Sequence, residues 1–155
     1  MSSVSVVEIN QGRSSVREVL AKFTGLFNEL TVRNIDDIRN IYSQDVSFQD
    51  PFSTVYGLDP LADYFSNAYA NVIACNFEFG EPVISGCNVC IPWVMKLRHK
   101  RIRGGKEVQV DGISQLCIQN GRVTSHRDYF DAGQLLYEHL PVLGKAIQWI
   151  RSHAG

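Results

Sequence analysis

The sequence predicts an α+β domain. The expected architecture is a strongly curved sheet, mixed but mainly antiparallel. About three N-terminal helices cover it, and a C-terminal helix closes the chain. Three observations carry that prediction. Apolar residues recur every three or four positions early in the chain. They then alternate, or cluster as β-formers between glycine turns. The C-terminal segment returns to helical spacing. Helices gathered on one face of a bent antiparallel sheet leave a conical cavity, and ligand sites favour such concavities.

Residues 1–13 are polar and short of pattern, and are expected to be a flexible arm ahead of one domain spanning 14–155. From Ser14 the stripe Val16, Val19, Leu20, Phe23, Leu26, Phe27 and Leu30 predicts an amphipathic helix with Ser14 or Ser15 as N-cap. Asn34 can cap a second, short helix carrying Ile35, Ile38, Ile41 and Tyr42. "VSFQDP" reads as a short strand stopped by Pro51, and "STVYG" as another extended piece. "LDPLADYFSNAYANVIA" is helical, with Asp59 as cap and Pro60 in the first turn.

"NFEFGEPVISG", "NVCIPWVMKLRHKRI" and "EVQVDGISQLCIQNGRVTSHRDYFD" predict three or four longer antiparallel strands. Gly104-Gly105 and Asn120-Gly121 mark the hairpin turns. Leu136, Leu140, Leu143, Ile147 and Ile150 form the last helical stripe, split or kinked at Pro141.

A chain of 155 residues can bury a sizeable core without staples. The net charge of −1 favours neither nucleic acid nor an anionic membrane, and no apolar run approaches the ~20 residues of a membrane span. The N-terminus lacks the basic-then-apolar order of a secretory signal, so the expected location is cytoplasmic. Cys87 and Cys90 form a CxxC. No second ligand pair accompanies it, and three positions along a strand separate the two faces. Free thiols are therefore expected, and no metal or cofactor. The basic stretch "RHKRIRGGK" at 98–106 reads as a hairpin tip that either contacts phosphates or, the better reading, is solvated and protects a sheet edge.

At "VSFQDPF" and "GRVTSHRDYFD" the chain resembles the nuclear transport factor 2-like superfamily, also called SnoaL-like or ketosteroid-isomerase-like. The resemblance implies a conical pocket for a small apolar molecule and a homodimer formed through the exposed sheet face. Asp50, before Pro51, matches the proton-shuttling aspartate of the ketosteroid isomerases. Their oxyanion-hole tyrosine falls on Leu26, which cannot donate a hydrogen bond, and Asp111 lies near their second donor. Limonene-epoxide hydrolases share a strand ending in "RDYFD", whose first aspartate, Asp128 here, is an acid/base group. Where those enzymes place an Arg-x-Asp, this chain has Trp93 and Met95. SnoaL-type cyclases use a late-strand aspartate with histidines nearby, a role that suits Asp128 and His126.

Strand parity puts Asp128 and His126 on one face and Arg127, Tyr129 and Asp131 on the other. If the first face is the cavity, desolvation favours a general acid or poised base there. The alternative for Asp128 is a buried hydrogen bond to a neighbouring backbone group or to a helix end. Asp50 either enters the pocket or starts a turn. Trp93 and Met95 are either pocket wall or core, and of Tyr64 and Phe65 on the third helix one should face the cavity, with Tyr64 as the candidate phenolic donor. Two functions remain open. One is a cofactor-independent acid/base enzyme of isomerase, cyclase or hydrolase type, using Asp128, Asp50 and His126. The other is a non-catalytic domain that binds a small ligand or a protein.

Overall fold

The computed structural model describes residues 3–137 and 143–154, with side chains placed over 15–135 and 145–154. The chain runs α1 (Ser3–Glu29), a 3₁₀ turn (Ile35–Asn40), β1 (Tyr42–Gln49), β2 (Thr54–Tyr56), α2 (Leu58–Tyr69), β3 (Val72–Phe79) and β4 (Val83–Ser85). β5 (Asn88–His99), β6 (Val108–Gln119), β7 (Arg122–Phe130) and α3 (Leu143–His153) complete it. The seven strands form one sheet in the order β2-β1-β7-β6-β5-β3, with β4 also on β5. All pairings are antiparallel except β1 with β7, so the sheet is mixed as expected.

The first helical stripe is buried in full, from Val16 to Leu30, because its three- and four-residue spacing puts every member on the sheet-facing side. The helix begins at Ser3, not at a Ser14 or Ser15 cap, so the expected arm is drawn into α1. Asn34 does not cap the 3₁₀ turn. Its Oδ1 accepts the Thr31 N–H (2.6 Å) and its Nδ2 donates to the Glu29 carbonyl (3.0 Å), tying down the end of α1 instead. Gly57, at φ 93°, takes the N-cap position of α2 in place of Asp59, which pairs with Arg39 at 2.7 Å. A left-handed φ at that corner is open to glycine and strained for other residues.

Asn120 and Gly121, both at positive φ, turn β6 into β7. Alternation along β5 and β6 buries Val89, Ile91, Trp93 and Leu97 together with Val108, Val110, Ser114 and Leu116, with Met95 on the same face, and leaves Cys90, Pro92, Gln109, Asp111, Ile113 and Gln115 exposed. Cys90 is exposed and has no sulfur partner. Cys87, in the turn before β5, faces Cys117 instead, with the sulfurs 3.2 Å apart. Among the described residues no group of three or more His, Cys, Asp or Glu side chains could hold a metal, and no helix is long and apolar enough to cross a membrane. In the C-terminal stripe Ile150 is exposed. The Leu136, Leu140 and Leu143 side chains, Pro141 and His139 lie outside the described residues.

Candidate functional site

α2 and the concave face of the sheet enclose a cavity of about 270 Å³. That is near the small end of the ~300–1,000 Å³ range of ligand pockets. Its apolar wall includes Phe65, Phe77, Trp93, Met95, Leu97 and Phe130. Gly112, opposite Trp93 across the β5–β6 ladder, lets the indole lie flat over β6. A Cβ at that glycine would collide with three ring carbons. Six polar groups also line the cavity: Asp50, Tyr64, Tyr69, Cys75, His99 and Asp128.

Asp128 is the end point of a chain of hydrogen bonds. The Trp93 indole N–H donates to Ser114 Oγ (2.9 Å), and the Ser114 hydroxyl donates to Asp128 Oδ1 (2.5 Å). On the other side Tyr42 Oη lies 2.7 Å from His126 Nδ1, and His126 Nε2 lies 2.6 Å from the same Asp128 oxygen. With the Tyr42 hydroxyl donating to Nδ1, the imidazole proton sits on Nε2 and points at Asp128. Both arms then deliver donors to Oδ1, and no described partner claims Oδ2. The Asp128 side chain keeps 20% of its exposure, against 2% for His126.

His126 does not line the cavity. It is caged behind Asp128 by the edges of Phe23, Phe27 and Phe48, with the Tyr42 ring parallel to its own. Burial, and then the Asp128 charge, drives the Tyr42 phenol well above its ordinary range, so it is a lasting donor.

Asp50 satisfies both of its expectations. Oδ1 accepts the backbone N–H groups of Phe52 (2.8 Å) and Ser53 (2.9 Å), which makes the turn after Asp50. Oδ2, at the cavity wall, accepts the Tyr64 hydroxyl. Burial first, and then the Asp50 hydrogen bond, pushes the Tyr64 phenol up. A shallower recess at the ends of β1 and β7 shares Asp50, Asp128 and Phe130, so these residues mark where the cavity meets the surface.

The structure brings Asp50, Asp128, Tyr64, Phe65, Trp93 and Met95 to one cavity. It does not bring Leu26 or Asp111 there. Leu26 packs in the core beneath α1. Asp111, one residue out of phase with Val110, falls by strand alternation on the exposed face. Ser114, Tyr42, Tyr69, Cys75 and His99 were missed by sequence reasoning. Ser114 carried a usable signal, a polar residue on the apolar parity of its strand, whereas Tyr42, read as the last member of the second helical stripe, stands instead at the start of β1. Burial pushes the Cys75 thiol up to about 11, against the lowering effect of its hydrogen bond with Tyr69. Burial, then Cys75, raises the Tyr69 phenol.

The sequence model of the SnoaL-like domain family matches residues 23–126, well over half of the chain. No curated protein matches significantly. Solved structures share the fold at low identity. An NTF2-like protein of unknown function from Burkholderia pseudomallei aligns with a TM-score of 0.68 at 14% identity, covering 79% of this chain and 97% of its own. A protein with a ketosteroid isomerase-like fold from Catenulispora acidiphila, in complex with trimethylamine, gives 0.67 at 15%, covering 76% and 88%. An LEH-like epoxide hydrolase from M. tuberculosis gives 0.66 at 17%, covering 88% and 96%.

Proposed function

The chain belongs to the SnoaL-like domain family, and from that premise we propose that it is a cofactor-independent acid/base enzyme acting on a small, largely apolar molecule. The observation that supports this most directly is the one-sided holding of Asp128. One oxygen is fixed by Ser114 and His126, while its side chain lines the cavity. A carboxylate so held is oriented in advance, which is what a general base requires. In the proposed step Oδ2 takes a proton from an acidic C–H or O–H of the ligand. It returns that proton to another atom of the same molecule, so isomerisation or ring closure needs no further reagent. His126 and Ser114 are positioning residues. Asp50 holds Tyr64 in place, and neither replaces the donor absent at Leu26. Tyr69 is the remaining phenol on the cavity wall.

The family resemblance also supports a cytoplasmic homodimer joined through the outer sheet face, where Tyr56, Ile113 and Tyr129 are exposed. The competing function is pure ligand binding. It draws on the mutual saturation of Asp50 and Tyr64, which leaves a single uncommitted carboxylate oxygen.

Exchange of carbon-bound hydrogen separates the two. Small aromatic ketones and 1,3-diketones are incubated with the protein in D₂O and followed by NMR. The enzyme reading expects accelerated exchange with wild type, loss of that acceleration in Asp128→Asn, and ligand binding retained by both. Binding without exchange in the wild type, or equal exchange in the variant, assigns the domain to binding alone.

A further inference from the structure

The cavity has a second end. From Trp93, hydrogen-bonded beside Asp128, β5 runs on to His99, a strand path of about 20 Å. There His99 and Ile102 line the cavity. Both belong to the β5–β6 tip, which carries exposed Arg98, Lys100, Arg101, Arg103 and Lys106. That tip holds five of the 15 Lys and Arg residues of a chain whose net charge is −1. β5 and β6 are interior strands, so this tip guards no sheet edge, and the expectation that it does is corrected.

The tip is closed by its own hydrogen bonds. Ile102, Gly105 and Lys106 N–H groups donate to the carbonyls of His99, Ile102 and Arg103 at 3.1, 3.0 and 3.3 Å. Arg98 Nε donates to the Gly105 carbonyl at 3.0 Å. Arg103, Gly104 and Gly105 all have positive φ (50°, 64° and 80°), and for an arginine that conformation is strained. Strain of this kind gathers at ligand clamps. Among the described residues Lys100, Arg101, Arg103 and Lys106 make no ion pair. His99 Nδ1 accepts the Arg101 N–H at 3.1 Å, so the neutral ring carries its proton on Nε2 as a donor. Burial, and then the Arg101 charge, keeps that ring below its ordinary pKa.

We infer that the ligand is amphipathic: a slim apolar body fills the cavity with its reacting end at Asp128, and an anionic group, carboxylate or phosphate, is held at the hairpin tip by Lys100, Arg101 and Arg103. This rests on the reading of the cavity as the ligand site. The two ends carry opposite charge, so an anion is repelled at Asp128 and attracted at the tip. The ligand therefore enters in one orientation.

Three probes of one length test this: 6-phenylhexanol, 6-phenylhexanoate and 6-phenylhexyl phosphate. Each is titrated by calorimetry and by the fluorescence of Trp93 in a Trp149→Phe background. Wild type is expected to bind one or both anions about tenfold more tightly than the alcohol. Added salt should erase that preference, and so should the triple variant Lys100→Glu, Arg101→Glu, Arg103→Glu. The alcohol should bind wild type and variant alike, which also reports that the variant is folded. The stronger of the two anions tells a free acid from a phosphate-bearing ligand. Equal affinity for alcohol and anions overturns the inference and leaves the cavity reading standing. Anion binding that leaves Trp93 fluorescence unchanged is surface ion exchange and also overturns it. If no probe binds, the cavity reading falls and takes the inference with it.

Discussion

Asp128 and His126 are joined by a 2.6 Å hydrogen bond between two residues on the same face of one strand. The spacing of two makes this possible, because alternate β residues point the same way. The consequence is a division of labour along a single strand: His126 sits in the aromatic core, and Asp128 faces the cavity. The imidazole proton and the Ser114 hydroxyl converge on one carboxylate oxygen, which fixes the rotamer that the other oxygen uses.

His126 is therefore expected to matter to stability as well as to reactivity. Replacing it with leucine leaves the Tyr42 hydroxyl buried without its acceptor and Asp128 with one donor fewer. Uncompensated buried polar groups cost about 1–3 kcal/mol each. Urea denaturation of His126→Leu should show a loss of about 2–4 kcal/mol. Tyr42→Phe, which removes only the donor, should lose about 1 kcal/mol. A leucine variant as stable as wild type would show that the buried chain contributes nothing net.

Cys75 gives a pH dependence whose sign follows from its shift. Its thiol moves from 9.0 to about 11 on folding. A group whose folded pKa is raised stabilises fully below the unfolded value and loses that contribution as pH climbs through the folded one. Stability should thus begin to decline at pH 9, and Cys75→Ala should flatten the profile between pH 9 and about 10, above which the raised Tyr42, Tyr64 and Tyr69 phenols add their own decline. The exposed Cys90 should react with a thiol reagent at pH 8 well before Cys75 does. Should Cys75 react first at that pH, the burial of its sulfur would be disproved.

Much of the fold was legible from periodicity alone. The α1 stripe and the β5–β7 alternation each follow from one repeat length and are buried as spaced. Parity put Trp93 and Met95 on the inner face without deciding between core and pocket wall, and it gave the shared face of Asp128 and His126. What parity could not supply was pairing across the sheet. Ser114 meets Asp128 because β6 and β7 register those residues opposite each other, and Tyr42 meets His126 across a separation of 84 residues. Neither relation leaves a local trace. The cap at Asp59 failed for the opposite reason. Asp59 suits a cap by type, but Gly57 is the residue that can adopt the positive φ of that corner.

The sulfur pair makes a separate expectation. Cys117 and Cys87 lie 3.2 Å apart, whereas the CxxC partner Cys90 stands on the strand and is exposed. Glutathione disulfide should oxidise the first pair: two thiols give up two hydrogens, and the oxidant leaves as two glutathione molecules. Peptide mapping should recover a Cys87–Cys117 crosslink. Recovery of a Cys87–Cys90 crosslink instead would contradict the facing of Cys87 and Cys117.

Gly112 offers the sharpest test of the cavity wall. It pairs directly with Trp93, and a methyl group there would run into Cη2, Cζ2 and Cζ3 of the indole. The backbone of a central strand cannot retreat without disturbing both neighbouring ladders, so the ring must move. The rim of the indole that would be struck belongs to a cavity wall, and the open space is on the cavity side. Movement into it also draws Nε1 away from Ser114, loosening the hydroxyl that holds Asp128. Gly112→Ala is thus expected to cost about 1–3 kcal/mol, the usual penalty of overpacking. It should also weaken binding of any cavity ligand and alter Trp93 fluorescence in a Trp149→Phe background. A destabilising core substitution away from the cavity, such as Ile38→Val in the 3₁₀ turn, should lower stability without changing either readout. If Gly112→Ala binds ligand as wild type does, the indole does not form the wall described here.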